Sequence, residues 1–446
     1  MIKRTLAVAL ASATALTLAG CGGSSSDGSK SSAAGTDAGT SAAATGGAKS
    51  TAAAAPTEVS TKNPTRDKSA DLVIWADATS APYVRQLATQ FGKANGVKVA
   101  VQIANDVRGQ YETAFKAGQA PDVIVGANDW TGELVANGAI APVQLPADVA
   151  SGFNAQAIAA TKYNNQTYAV PYGVENLALV RNTALAPTAP KTMDELVSMG
   201  QKLKKAGKVT NILSDQVGKT GNAYNGYPFL SACGGGIFGT KANGDYDPSK
   251  VMVNSAGSIK GATEMAELGK VGALSTNIDS TNADTLFATK KTAFEITGPW
   301  SIPAFKKAGI KYSIDPLPSV AGCGPMKPFL GVQMFFVSSK AKNATIAQTF
   351  VTSFLTTKSA QETLFKVGQR PPALTAAYDD VTKSDPDVAK WAAAAKGGKL
   401  MPNIPAMNSV WGPLGQAMAD VVSGKSQPKA RFDKAQQEIV KNIAKG

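Results

Sequence analysis

Histidine is absent from this 446-residue chain, and the absence excludes a good deal of chemistry. Ser-His-Asp triads, Cys-His pairs, HExxH zinc sites and every His-ligated metal are ruled out at once. Cysteine is scarce too, with three residues at positions 21, 233 and 323. The formal net charge of +13 is diffuse, and no Lys/Arg run with interleaved aromatics occurs. A solvated basic surface is the reading, and nucleic acid is not an expected partner. Long apolar runs are lacking as well. The longest, from Leu6 to Ala19, is shorter than the roughly 20 residues needed to cross a bilayer.

That run follows Lys3 and Arg4 and ends in small residues, which is the pattern of a secretory signal over residues 1–20. A cysteine directly after Leu18-Ala19-Gly20 resembles the bacterial lipobox, in which the chain is cut before the cysteine and its sulfur is lipidated. This resemblance implies lipidation at Cys21 and a body held at the outer face of the cell membrane through a lipid anchor only. Residues 21–68 are then dominated by Gly, Ser, Ala and Thr, with almost no large apolar side chain to offset the entropy of ordering. They read as a disordered tether with a root-mean-square reach of roughly 40 Å. In an oxidising exterior the two remaining cysteines, Cys233 and Cys323, read as a disulfide, with two free thiols as the alternative.

From residue 69 onward the chain exceeds what one hydrophobic core serves, so two lobes are expected. Strand patterns at 71–76, 97–103 and 121–127 alternate with helical patterns at 84–95 and 109–118, an α/β order that predicts a mostly parallel sheet. Ligands of such sheets bind beyond the carboxyl ends of the strands. That rule gathers Asp77, Arg108, Asp129 and Trp130 on one rim. Further on, Thr192 caps a helix reaching Ala206, and residues 343–356 carry Ile346, Phe350 and Phe354 at helical spacing. A strand at 291–297 turns at Gly298-Pro299 into a helix starting near Trp300. Two prolines in Met401–Pro405 break any helix, so the next begins near Asn408 with Trp411 in its first turn.

The stretch TYAVPYGVENLALVRN at 167–182 reads as a buried strand with a break, followed by a carboxylate that an apolar interior does not tolerate unpaired. Glu175 therefore either emerges into a cleft or forms an ion pair with Arg181 or another cation.

PDVIVGANDW at 121–130, YAVPYGVENLALVRN at 168–182, PKTMDEL at 190–196, TAFEITGPW at 292–300, KPFLGVQ at 327–333 and MPNIPAMNSVW at 401–411 occur in that order. The chain resembles the extracellular solute-binding proteins of sugar ABC transporters, and within them the maltose/maltodextrin-binding proteins. The resemblance implies an α/β, two-lobe periplasmic-binding-protein-like fold of type II, with discontinuous lobes around a hinge and a central cleft. Its lobes would be 69–173 plus 335–380 and 174–334 plus 381–446, crossing near Tyr172 to Val174, Met334 to Phe336 and Asp380 to Asp387. It implies a monomeric, non-catalytic protein without cofactor, whose partners are an oligosaccharide and the permease subunits of an importer.

Asp77, Arg108, Asp129, Trp130, Glu175, Tyr224, Trp300 and Trp411 are the ligand-binding residues expected on this basis. Carboxylates would accept hydroxyl hydrogen bonds, and aromatic faces would stack on the C–H faces of pyranosides. The sequence also departs from the maltodextrin pattern. Gly126 replaces an aromatic, Trp130 an arginine, Thr79 and Ser80 a charged pair, Arg108 and Asn222 acids, and Gly415 an arginine. Sugar binding is compatible with these changes more readily than maltose itself is. Two other classes remain open on composition: a surface glycoside hydrolase using two carboxylates, which needs no histidine, and a surface adhesin.

The lipobox reading has a direct test. Wild-type protein should incorporate labelled fatty acid and Cys21→Ser should not, accumulating instead as precursor; equal labelling of both would refute it.

Overall fold

The structure, a computed structural model, describes residues 62–445; the signal, Cys21 and most of the tether lie outside the described residues. Among those described, no helix is long and apolar enough to cross a membrane.

Five consecutive buried residues, Leu72–Ala76, form an inner strand of a six-stranded sheet. An apolar run without alternation is what a strand covered on both faces requires. Val99–Ile103 pairs with it in parallel from Leu72↔Val99 to Ala76↔Ile103, and Val123–Ala127 pairs in parallel on its other side. The next neighbour departs from the mostly parallel expectation. Phe329–Val337 runs antiparallel to Val123–Ala127 and, on its far edge, antiparallel to Ala169–Glu175. A parallel neighbour needs a crossover connection back over the sheet, whereas this strand arrives directly from the second half of the chain. Register slips between Gln333 and Met334, opposite Pro171, where a missing N–H cannot continue the ladder.

A second sheet has Ala178–Asn182 between antiparallel Phe294–Thr297 and Tyr312–Asp315, with short Ser214–Asp215 parallel beyond Phe294–Thr297. Each sheet has its own core. The first core gathers side chains from Ala70 to Tyr172, Val332 to Val337 and Ala347 to Ala377. The second gathers side chains from Leu177 to Phe329 and from Met401 to Ile439, with an adjoining cluster that includes Val180, Phe305 and Trp391. The chain thus changes core between Val174 and Leu177, between Phe329 and Val332, and between Ala377 and Trp391.

Local signals explain the helix ends. The Thr192 side chain accepts from the Glu195 amide and caps Met193–Lys205. The helix expected over 343–356 begins at Ala344, but widens into a π turn over Phe350–Phe354, closed by Leu355 N–H donating to the Phe350 carbonyl. The wider turn brings Phe350 and Phe354 both onto Phe91, with ring centroids 5.1 and 5.4 Å away. The final helix, Pro428–Ile443, buries Phe432, Ala435 and Ile439.

Cys233 and Cys323 are joined in a disulfide that spans 90 residues. Closing a loop of that length limits the unfolded chain by roughly 4.5 kcal/mol in the chain-entropy model. Replacing both cysteines with serine should lower the unfolding free energy read from urea titration by up to that amount; an unchanged value would show that the bond carries no stability.

Candidate functional site

Where the two cores meet lies a cavity of about 620 Å³. One wall comes from residues that follow strands of the first sheet, Asp77, Thr79 and Asp129, with Glu175 at a strand end. The other comes from the 216–225 loop and helix start, Asp279, Ser280, Trp300, Met401 and Trp411.

Asp129 sits in a single 3-10 turn, Asn128–Trp130, directly after the Val123–Ala127 strand. Fully buried Asn128 fixes that turn by donating to the Met401 carbonyl at 2.8 Å and accepting from the Val332 amide at 3.1 Å. The Asp129 carboxyl accepts the Trp411 indole N–H at 3.0 Å, and Arg108 stands 3.8 Å away. Burial pushes Asp129 up to about 6, against the opposing pull of Arg108 and the indole N–H. Asp77 accepts both the amide and the hydroxyl of Ser80, at 2.8 and 3.0 Å.

Tyr224 opens the Ala223–Ala232 helix, whose cap is Asn222, accepting from the Tyr224 and Asn225 amides. Its hydroxyl is buried and has no hydrogen-bond partner among the described residues. An orphaned hydroxyl facing a cavity is a place for a ligand's polar group. The Tyr224 ring lies 6.3 Å from Trp300, and the Arg370 guanidinium stands 5.7 Å over that indole. Trp300 is in the turn Pro299–Ser301, and its ring folds back on Gly298, where a Cβ would come within 2.1 Å of the indole.

Glu175 both lines the cavity and is paired. It accepts from Gln333 at 2.9 Å and from the Nε of Arg370. The partner is not Arg181, which binds Asp315 and the carbonyls of Ala186 and Pro187. Arg370 is aimed by its own chain: Val174 N–H donates to Pro371 and Ala373 N–H to Tyr172, which lays the 371–373 segment along the strand. Its Nη1 donates to the Tyr83 hydroxyl at 2.9 Å.

Two α/β cores crossed three times by one chain, with a polar and aromatic cavity at the crossing, agree with what the sequence shares with known proteins. Residues 86–396 match the family described as bacterial extracellular solute-binding protein. The chain belongs to that family.

Among relatives of this solute-binding protein, the Galactooligosaccharide-binding protein of Bacillus subtilis is 29% identical, covering 84% of this chain and 90% of its own. The Maltooligosaccharide ABC transporter solute-binding lipoprotein of Streptococcus pneumoniae is 28% identical over 84% and 92%. The Maltotriose-binding protein of Pyrococcus abyssi is 25% identical over 78% and 76%.

Of the residues singled out from sequence, Asp77, Asp129, Glu175, Tyr224, Trp300 and Trp411 line the cavity, whereas Arg108 and Trp130 are not in its lining. Trp130 turns back onto Gly126, where a Cβ would lie 1.9 Å from its ring, and stacks on Phe336. The tryptophan fills the space that a side chain at 126 would occupy and therefore presents no face to the cavity. Arg108 stands over Trp130 and between Asp129 and Glu133, compensating acids. Gly415 packs against the backbone of Gly221: a Cβ on Gly221 would lie 1.6 Å from the Gly415 carbonyl oxygen, and one on Gly415 would lie 3.1 Å from the Gly221 carbonyl oxygen.

Arg370, Gln333 and the 216–221 loop are cavity or site residues that the sequence reading does not single out. A cation between Gln369 and two prolines is a weak local signal, and its partner is 195 residues away.

Both side chains of the Glu175–Arg370 pair are 8% exposed, so removing one leaves a buried uncompensated charge, a cost of about 3–5 kcal/mol. Arg370→Met should lose that much in urea unfolding, and adding Glu175→Gln should restore most of it. Strictly additive losses in the double variant would show that the two do not compensate each other.

Proposed function

We propose that this solute-binding protein is a non-catalytic receptor that captures an oligosaccharide in the interlobe cavity and delivers it to an ABC import permease. The observation that carries the reading is the cavity wall itself. The indole of Trp300 and the ring of Tyr224 supply apolar faces, while Asp77, Asp129 and Glu175 supply acceptors around them. Pyranosides have C–H faces and hydroxyl edges, and this division of surface matches both. The names of the relatives support an oligosaccharide, of gluco- or galacto-type. The glycines at 126 and 415 leave neither an aromatic nor an arginine in those places, which favours a maltodextrin-type ligand held differently, or another oligosaccharide.

In this reading the lobes, residues 69–173 plus 335–380 and 174–334 plus 381–446, close on the sugar about the paired strands between them. The protein acts as a monomer, tethered through Cys21 at the outer face of the membrane, and uses no cofactor.

One feature favours a second reading: a carboxyl pushed up to about 6 by burial, in a cavity lined by a second carboxylate, is also the equipment of a glycoside hydrolase. Against it, Glu175 is engaged by Arg370 and Gln333, and the relatives named above are binding proteins. Long incubation with oligosaccharides should release no new reducing ends.

Trp300 and Trp411 are the stacking platforms of this proposal. Calorimetric titration with the best sugar from a thermal-shift panel should show Trp300→Ala and Trp411→Ala each losing about 2 kcal/mol of affinity, with ligand-free unfolding little changed. Wild-type affinity in both variants would return these rings to a packing role.

A further inference from the structure

Behind the Trp300 turn lies a group of polar side chains that the binding reading does not use. Ser301, directly after the tryptophan, is fully buried and hydrogen-bonds the Thr297 hydroxyl at 2.7 Å and the Asp284 carboxylate at 2.9 Å. Asp284 is on the Ala283–Ala288 helix, which follows the cavity-lining residues Asp279 and Ser280. Beside it, Glu295 lies in the Phe294–Thr297 strand with no exposure; its carboxyl interacts with that of Asp284, and no other described residue hydrogen-bonds it. The charged groups acting on Glu295 are carboxyls, Asp284 foremost and Asp215 beyond. Arg181 of the adjacent strand is engaged by Asp315, and Lys306 of the Ile302–Lys307 helix by Gln369 and Asp385. The strand neighbours in register are Val180 and Ser214.

A carboxylate in that position would face another carboxylate, with no cation among the groups acting on Glu295 to compensate it. We propose that Asp284 and Glu295 are positioning residues for the Trp300 platform. Asp284 anchors Ser301, and Glu295 keeps its proton, directed toward Asp284, so that the anchor survives burial. Burial and the two neighbouring carboxyls raise Glu295 well above the usual range, with burial the larger cause. Loss of the proton sets two carboxylates against each other, displaces Asp284 from Ser301 and frees the turn that holds the indole. Alkaline pH thus weakens the sugar platform from behind.

The inference rests on the sugar reading for its binding arm only. Without ligand, the folded state holds a proton on Glu295 that the unfolded chain releases above its ordinary value of 4.5. The folding equilibrium of wild type should therefore fall tenfold per pH unit relative to Glu295→Gln from about pH 5 upward, until Glu295 ionises in the folded state. With sugar, Ser301→Ala should weaken binding about tenfold at pH 6. The ratio of wild-type to Glu295→Gln affinity should be flat at low pH and decline at alkaline pH; taking the ratio removes the separate titration of Asp129. Parallel pH profiles of the two proteins in both measurements would overturn the proposal. If Glu295→Gln does not fold, the wild-type unfolding slope against Glu295→Leu decides the same point. A pH-dependent folding difference with no sugar bound at any pH would sink the sugar reading and leave the protonation of Glu295 standing.

Discussion

The buried ion pair of Glu175 and Arg370 is the contact on which the arrangement of the site depends. Glu175 ends the strand that precedes the first change of core, and Arg370 comes from the segment laid along that strand from the other side. A charge at such a place is tolerable only when paired and hydrogen-bonded. The pairing is therefore dense: Gln333 and Arg370 serve the carboxylate, and Tyr83 and Tyr172 continue the chain of hydrogen bonds inward. Arg370 then reaches the Trp300 indole of the opposite wall. One guanidinium thus links the crossing strand, the first core and the far side of the cavity.

The same local device appears on both walls with different results. Gly126 and Trp130 form one unit and Gly298 and Trp300 another, each indole folded over a glycine that has no side chain to exclude it. In the first case the ring continues inward onto Phe336 and becomes packing. In the second it lies beside Tyr224 and under Arg370 in the cavity wall. What separates them is the neighbourhood of each ring, since the turn chemistry is alike.

Desolvation dominates the electrostatics around the cavity. Asp129 and Asp215 are both raised chiefly by burial, to about 6 and about 7, and the Tyr224 hydroxyl is left without a partner. Such groups are kept at a cost to the fold.

By itself the sequence determined the alternation of strands and helices, the break at Pro-Tyr-Gly, the Thr192 cap and the turn before Trp300, because each depends on residues within a few positions of one another. It also held Asp129, Glu175, Trp300 and Trp411 in motifs that occur in a fixed order. Only the tertiary structure decided that Phe329–Val337 enters the first sheet antiparallel, that Arg370 rather than Arg181 neutralises Glu175, and that Trp130 faces inward. These depend on contacts between segments far apart in the chain, where the partner of a charge or a ring is set by which surfaces the cores bring together. Nothing in local propensity encodes that choice.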